Sequence, residues 1–179
     1  MEFAAFNRTP EAITEVLKLI ARTNTGREIL EKFLPLYNQR KIAIKPYPDE
    51  IVNKLKAVIG PDQPVGACFV TDGVAGTIHY DARSPLGVLA PFIFHEMVHS
   101  LDACLWDNAQ IPMTQTSRDQ LHLRAETKAF EYQHRFVDEL GQRYPEYKKF
   151  LAEYYPKAKI LVDRLTSTDI EDLYGFKVA

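Results

Sequence analysis

His95, Glu96 and His99, in the stretch Phe92-Ile93-Phe94-His95-Glu96-Met97-Val98-His99-Ser100-Leu101-Asp102, are the residues whose types and spacing point most directly to chemistry. At about 100° and 1.5 Å per residue, His95 and His99 lie about 40° and one turn apart on a helix, so their imidazoles can hold one metal ion. Glu96 projects beside them, where a carboxylate is poorly placed to ligate the ion and well placed to take a proton from water bound to it. Phe94, Met97, Val98, Ser100 and Leu101 are uncharged, as expected for a helix buried on most sides with its polar groups turned to one point. A surface helix with two solvated histidines would carry Lys or Glu among them. The competing reading is a structural core in which His95 and His99 merely hydrogen-bond.

A third ligand must come from another element. The longest helical pattern runs from about Arg118 to Leu140, and its acids fall into two environments. Glu126 shares a stripe with Leu123, Ala129, Phe130 and Val137, whereas Glu131 has Thr127, Lys128, His134 and Arg135 as its one-turn neighbours, a solvated face. An ionised carboxylate on an apolar face is costly unless something positive meets it, which singles out Glu126. The alternative is a Glu126 paired with Arg or a backbone amide in the core. Asp102, His122, Glu131 and His134 are the rivals. Asp102 follows His95 by seven residues, about 10.5 Å along a continuous helix, so it reads better as an outer carboxylate or a cap. His122, one turn before Glu126, is placed to hydrogen-bond it or to sit on the surface. Glu131 and His134 are expected to face water.

These residues resemble the active-site helix of the zincin metallopeptidases, and the resemblance covers this helix and a weaker match at Glu126-Thr127-Lys128-Ala129. It implies one zinc ion on His95 and His99, Glu96 as the water-activating base, and a peptide or protein as substrate. Asp102 stands where metzincins have a Gly before their third His, so that branch is not indicated. The His-Ser-Leu-Asp ending is similar to small bacterial members and to the catalytic domain of anthrax lethal factor, whose third ligand is a Glu on a later helix. That gluzincin-like pattern implies Glu126 as third ligand. In zincins an edge strand before the metal helix pairs with the substrate backbone, so Gly76-Thr77-Ile78-His79-Tyr80 resembles the docking strand, with Thr77, Ile78, His79 and Tyr80 as substrate-binding residues. Tyr80 or His79 would then be near enough in sequence to steady an oxyanion. A catalytically silent zincin-like binding or regulatory module is the alternative from another class.

At 179 residues, 46% hydrophobic and 26% charged, the chain reads as a single soluble globular domain spanning 1–179. A net charge of −2 and no basic cluster argue against capture of nucleic acid or an acidic membrane surface. No apolar run reaches bilayer length, and Met1 to Arg8 lacks a secretory pattern. A cytoplasmic monomer is expected unless a leader has been removed. Cys68 and Cys104 lack metal-ligand spacing and are expected to be small core residues in a reducing compartment; a disulfide or a nucleophile are the alternatives.

The elements that must position the site are mostly helical. Thr9-Pro10 starts a first helix, Thr25-Gly26-Arg27-Glu28 has the form of a capping box for a second that Pro35 bends or ends, and Asp49 caps a third with Ile51, Val52, Leu55, Val58 and Ile59 as its stripe. Lys41-Ile42-Ala43-Ile44-Lys45 reads as a short strand stopped by Pro46 and Pro48. Val65–Thr71 and Val74–Asp81 read as a hairpin turned at Asp72-Gly73. The motif helix starts near Ser84-Pro85, with Gly87 and Pro91 awkward inside it, and is expected to continue to about Trp106. A helix from Tyr144-Pro145 interrupted at Pro156, and a last one opened by a capping box at Thr168-Asp169-Ile170-Glu171, close the chain. The fold expected is α+β and mostly helical: a zincin-like domain with a small twisted β-sheet preceding the motif helix and a helical C-terminal part.

Overall fold

A computed structural model describes residues 3, 11–60, 65–154 and 165–175. Among them are eight helices and three strands: α1 (Glu11–Ile20), α2 (Asn24–Asn38), β1 (Ile42–Pro46), α3 (Asp49–Ile59), β2 (Ala67–Thr71), β3 (Gly76–Tyr80), α4 (Leu86–Ser100), α5 (Ala103–Asp107), α6 (Gln115–Arg143), α7 (Pro145–Tyr154) and α8 (Ser167–Tyr174). The architecture is α+β and mostly helical, with the strands ahead of the motif helix. Thr9, Pro10, and the chain around Pro156 lie outside the described residues.

The motif helix α4 is the centre of the core. It packs against α1, α2, α6 and α7, and against β2 and β3. Twelve of its fifteen residues are buried, which explains why it carries no charged residue except Glu96. Phe94 stacks on Phe136 of α6 at 4.7 Å between ring centres, joining the two helices that supply the site.

Gly87 and Pro91 have complementary roles inside α4. Pro91 has no N–H, so the carbonyl four residues earlier, that of Gly87, loses its helical donor. The Tyr147 hydroxyl of α7 donates to that carbonyl at 2.7 Å from within the core. Gly87 itself is required by close approach: a Cβ there would lie 2.7 Å from Phe150 and 2.8 Å from Phe3. The helix thus keeps its proline without leaving a buried acceptor unsatisfied. Pro35, by contrast, lies on the exposed side of α2, where water can serve the freed carbonyl of Glu31. The helix runs on past it to Asn38.

Two helix starts differ from expectation. The N-cap of α2 is Thr23, whose hydroxyl accepts from the Gly26 amide, rather than Thr25. The Thr25 amide and hydroxyl instead donate to Glu139 of α6, a carboxylate that favours a helix N-terminus. The capping box of α8 is formed by Thr166 and Asp169, two residues earlier than the sequence pattern indicates. In α3, Val52 is buried but Ile51, Leu55 and Val58 are exposed, so only part of its apolar stripe meets the core.

α4 ends at Ser100 and does not reach Trp106. Asp102 turns its side chain onto the Cys104 amide at 3.0 Å and caps a separate short helix, α5, a local bond that competes with continuing the first helix. The Trp106 indole then donates back to the Ser100 carbonyl at 2.9 Å.

The sheet order is β1-β3-β2. β3 pairs in parallel with β1 (Ile42 opposite Gly76, Pro46 opposite Tyr80) and antiparallel with β2 (Ala67 opposite Tyr80, Thr71 opposite Gly76). The β2–β3 turn is the expected one, with the Asp72 carboxylate accepting from the Val74 and Ala75 amides and Gly73 at φ 86. The consequence for docking is a correction. Thr77, Ile78, His79 and Tyr80 belong to the central strand, both of whose edges are taken, so they cannot offer a free backbone edge to a peptide. Ile78 and Tyr80 point into the core, and the His79 ring stacks on Tyr47 at 5.5 Å.

Cys68 and Cys104 are both free thiols, Cys68 exposed and Cys104 half-buried, so neither is the core residue expected. Among the described residues no helix is long and apolar enough to cross a membrane.

Replacing Tyr147 with Phe should leave the Gly87 carbonyl unsatisfied in the core and lower stability by about 1–3 kcal/mol. Urea unfolding measures this, and a Tyr147→Phe midpoint equal to the parent's would show that the proline in α4 needs no such donor.

Candidate metal centre

Two helices bring the polar groups together. α4 presents His95 and His99 one turn apart, and α6, docked along it, presents Glu126 between Ala125 and the buried Ala129–Phe130 pair. His95 Nε2 lies 3.1 Å from Glu126 Oε2, His99 Nε2 lies 3.2 Å from Glu126 Oε1, and the two Nε2 atoms are 3.0 Å apart. His95 and His99 are buried, and the Glu126 side chain is only 16% exposed. The His95 ring packs edge-on against Phe130 at 4.6 Å.

This triad can hold a metal ion, with all its ligand atoms within 4.8 Å of one another. A tetrahedral ion with bonds of about 2.0–2.2 Å sets its ligand atoms about 3.3–3.6 Å apart. The three separations are a few tenths of an ångström tighter than that, hydrogen-bond distances that a small outward shift converts to coordination distances.

The electrostatics fit a cation. Burial opposes ionisation of Glu126, but hydrogen bonds from His95 and His99 and the charges of the same two rings outweigh it and hold its carboxyl far below the usual range. His99 is pulled the other way: burial disfavours its charge, yet the hydrogen bond to Glu126 and the charges of Glu96, Glu126 and Asp102 raise its pKa. The two shifts run in opposite directions, up at His99 and down at Glu126, as expected for partners that favour each other's charge.

Glu96 is not a member of the triad. Its Oε2 accepts the Phe69 amide of β2 at 2.8 Å, so the carboxylate is turned toward the sheet. Burial raises its pKa, with the two imidazoles opposing and Glu126 adding to the rise. Glu96, His99 and Glu126 line one cavity. A cavity of about 280 Å³ is lined by Ala67, Cys68 and Phe69 of β2, Glu96 and His99 of α4, Leu105 of α5, His122, Ala125 and Glu126 of α6, and Tyr174 of α8.

The chain matches no family model, no curated protein and no solved structure. What the site can do follows from its own residues.

Of the residues singled out in the sequence, His95, Glu96, His99 and Glu126 converge, and His122 lines the same cavity from one turn before Glu126. Asp102 acts on His99 through its charge, while its oxygens are engaged by the Cys104 amide and by Lys128 at 3.5 Å. Glu131 is exposed as expected. His134 is not: it is 8% exposed and stacks on Phe130, because α6 is covered on more of its circumference than its sequence pattern indicates.

Two contributors were not singled out by their sequence. β2 is an edge strand, with no strand on its outer side among the described residues, and it forms one wall of the cavity. Its Phe69 amide points away from β3, so by the alternation of an antiparallel pair Ala67 and Thr71 also present their backbone outward. Tyr174 reaches the cavity from the last helix. Burial, followed by the charges of Glu126 and Glu96, pushes its phenol pKa up, so it remains a hydrogen-bond donor.

With zinc as the probe ion at about a hundred times its dissociation constant, binding should add about 2.7 kcal/mol, a rise in Tm of roughly 5–10 °C for a chain of this size. His95→Ala should abolish the shift and Glu126→Gln should remove most of it, since a neutral amide is a poor ligand. Glu131→Gln should keep it whole. Differential scanning fluorimetry reads all four proteins, and a normal shift in Glu126→Gln would exclude that carboxylate as a ligand.

Proposed function

We propose that the chain is a zinc-dependent peptidase that hydrolyses peptide bonds at this cavity. The observation that carries the reading is the placement of Glu96: it adjoins the same cavity as His99 and Glu126 but keeps its carboxylate out of the ligand cluster and against the β2 edge. A carboxylate so placed fits a base better than a fourth ligand.

His95, His99 and Glu126 would hold the ion. Zinc, when bound, supplies Lewis acidity and lowers the pKa of coordinated water toward neutrality. The remaining steps belong to the chain. The edge of β2 binds an extended peptide through main-chain hydrogen bonds, which hold it beside the metal ligands and demand little of its sequence. Glu96 takes the proton of the attacking water on its carboxylate and returns it to the leaving amine. Its burial moves its pKa up toward working pH, the direction that suits a group which must both accept and give a proton. The hydrogen bond from Phe69 holds the carboxylate at the docking strand, so base and substrate backbone share one reference point.

The partner is a peptide or protein, and the chain acts as a monomer without nucleic acid or membrane. Two free thiols suit a cytoplasmic setting.

Glu96→Gln separates this reading from its competitor. The variant should bind zinc as the parent does and lose about 10²–10⁴-fold in kcat on an unstructured protein such as casein. Zinc-loaded parent without turnover would favour a binding module on the same scaffold, and full activity in Glu96→Gln would remove Glu96 as the base.

A further inference from the structure

The Glu126 carboxylate has a partner outside the motif helix. α8 lies against α6 and is anchored there by Ile170, which is fully buried. It stops at Gly175, a left-handed cap at φ 65, and its last residue, Tyr174, stands in the cavity wall beside Glu126. Although the residue is 45% exposed, it faces the same cavity as the Glu126 carboxylate, whose charge adds to the effect of burial in raising the phenol pKa.

The two histidines are held differently. The Nδ1 atoms of His95 and His99 are buried and have no hydrogen-bond partner among the described residues. Packing orients the rings, as Phe130 does for His95. Metal ligands are normally aimed by outer hydrogen bonds, and removing such a bond typically costs about 10–100-fold in metal affinity. Here the phenol of Tyr174, in the cavity wall beside Glu126, is placed to supply one to that carboxylate. A carboxylate that ligates through one oxygen keeps the other for the phenol.

We propose that Tyr174 is a positioning residue for the metal centre: by holding Glu126 it makes metal affinity depend on the docking of α8, so that metal binding and attachment of the C-terminal helix are coupled. Coupling of this kind is reciprocal, so the metal must in turn tighten α8 on α6. The proposal rests on the metal-binding half of the proposed function and is indifferent to whether peptides are cleaved.

The test uses zinc alone, on the full chain. Competition with a chromophoric chelator gives the zinc dissociation constant of the parent, Tyr174→Phe and Ile170→Ala, melting in EDTA shows whether each metal-free fold is intact, and hydrogen exchange follows the α8 amides with and without zinc. Tyr174→Phe should weaken zinc about 10-fold or more with its metal-free melting unchanged. Ile170→Ala, which loosens α8 but keeps the phenol, should weaken it in the same direction. Zinc should slow exchange in α8 of the parent and not of Tyr174→Phe. Parental zinc affinity in Tyr174→Phe, or α8 exchange indifferent to zinc, would overturn the coupling while leaving the metal centre standing. A parent that takes up no zinc overturns the centre itself, and the coupling with it.

Discussion

Two imidazoles and a carboxylate are taken out of water and aimed at one point, and the remainder of the structure has to accommodate that. An ionised Glu126 under the surface would be strongly unfavourable alone; His95 and His99, at 3.1 and 3.2 Å, are what make it tolerable. The three groups depend on each other across two helices distant in sequence. Removing any one leaves the others buried without a full set of partners, a condition more costly than the polar cluster itself. The centre is therefore also a structural joint between α4 and α6, and the Phe94–Phe136 stack at 4.7 Å closes the same seam from the apolar side.

Such a joint needs helices that do not shift. α4 is gripped on both sides, by helices on one and the sheet on the other. Its proline would weaken the ladder one turn ahead of His95, were it not for the Tyr147 hydroxyl on the Gly87 carbonyl. α6 is tied at its far end, where Glu139 receives the Thr25 amide and hydroxyl. These are ordinary devices, a substituted hydrogen bond and a carboxylate on a helix N-terminus. Together they keep the imidazoles and Glu126 at fixed separations.

Local chemistry was readable from the residues, and spatial neighbours were not. The spacing of His95 and His99 and the uncharged residues around them announce a buried helix with two convergent rings. Glu126 is separable from Glu131 by its stripe alone, because helical periodicity is a local property. Strand order is different. That β1 inserts beside β3 in parallel, leaving β3 in the centre with β2 and β1 as the edges, depends on a crossover that alternation along either strand does not encode, so the pattern of Thr77–Tyr80 suggests an edge that these residues do not have. The break at Leu101 turns on where the Asp102 side chain bonds, a choice between continuing a helix and capping a new one. Tyr174 lies 48 residues past Glu126, and nothing in its neighbours marks it, since its role comes wholly from where α8 docks.

The proton affinities at the site are displaced by its charges and its burial. His99 has its pKa raised and so does Glu96, one by a carboxylate partner that outweighs burial and the other by burial itself. Different causes raise both, while Glu126 moves the other way, held far below its usual range by the two imidazoles in spite of its burial. The charge of Glu126 adds to the rise at Glu96, so positive charge brought between the two carboxylates would be favoured. A divalent cation would supply that positive charge in one particle and would compete with protons for the imidazoles. The same site carries a second carboxylate, Glu96, turned out of the His–Glu cluster and onto the β2 edge, a placement that the pairing of Glu126 with two imidazoles does not by itself require.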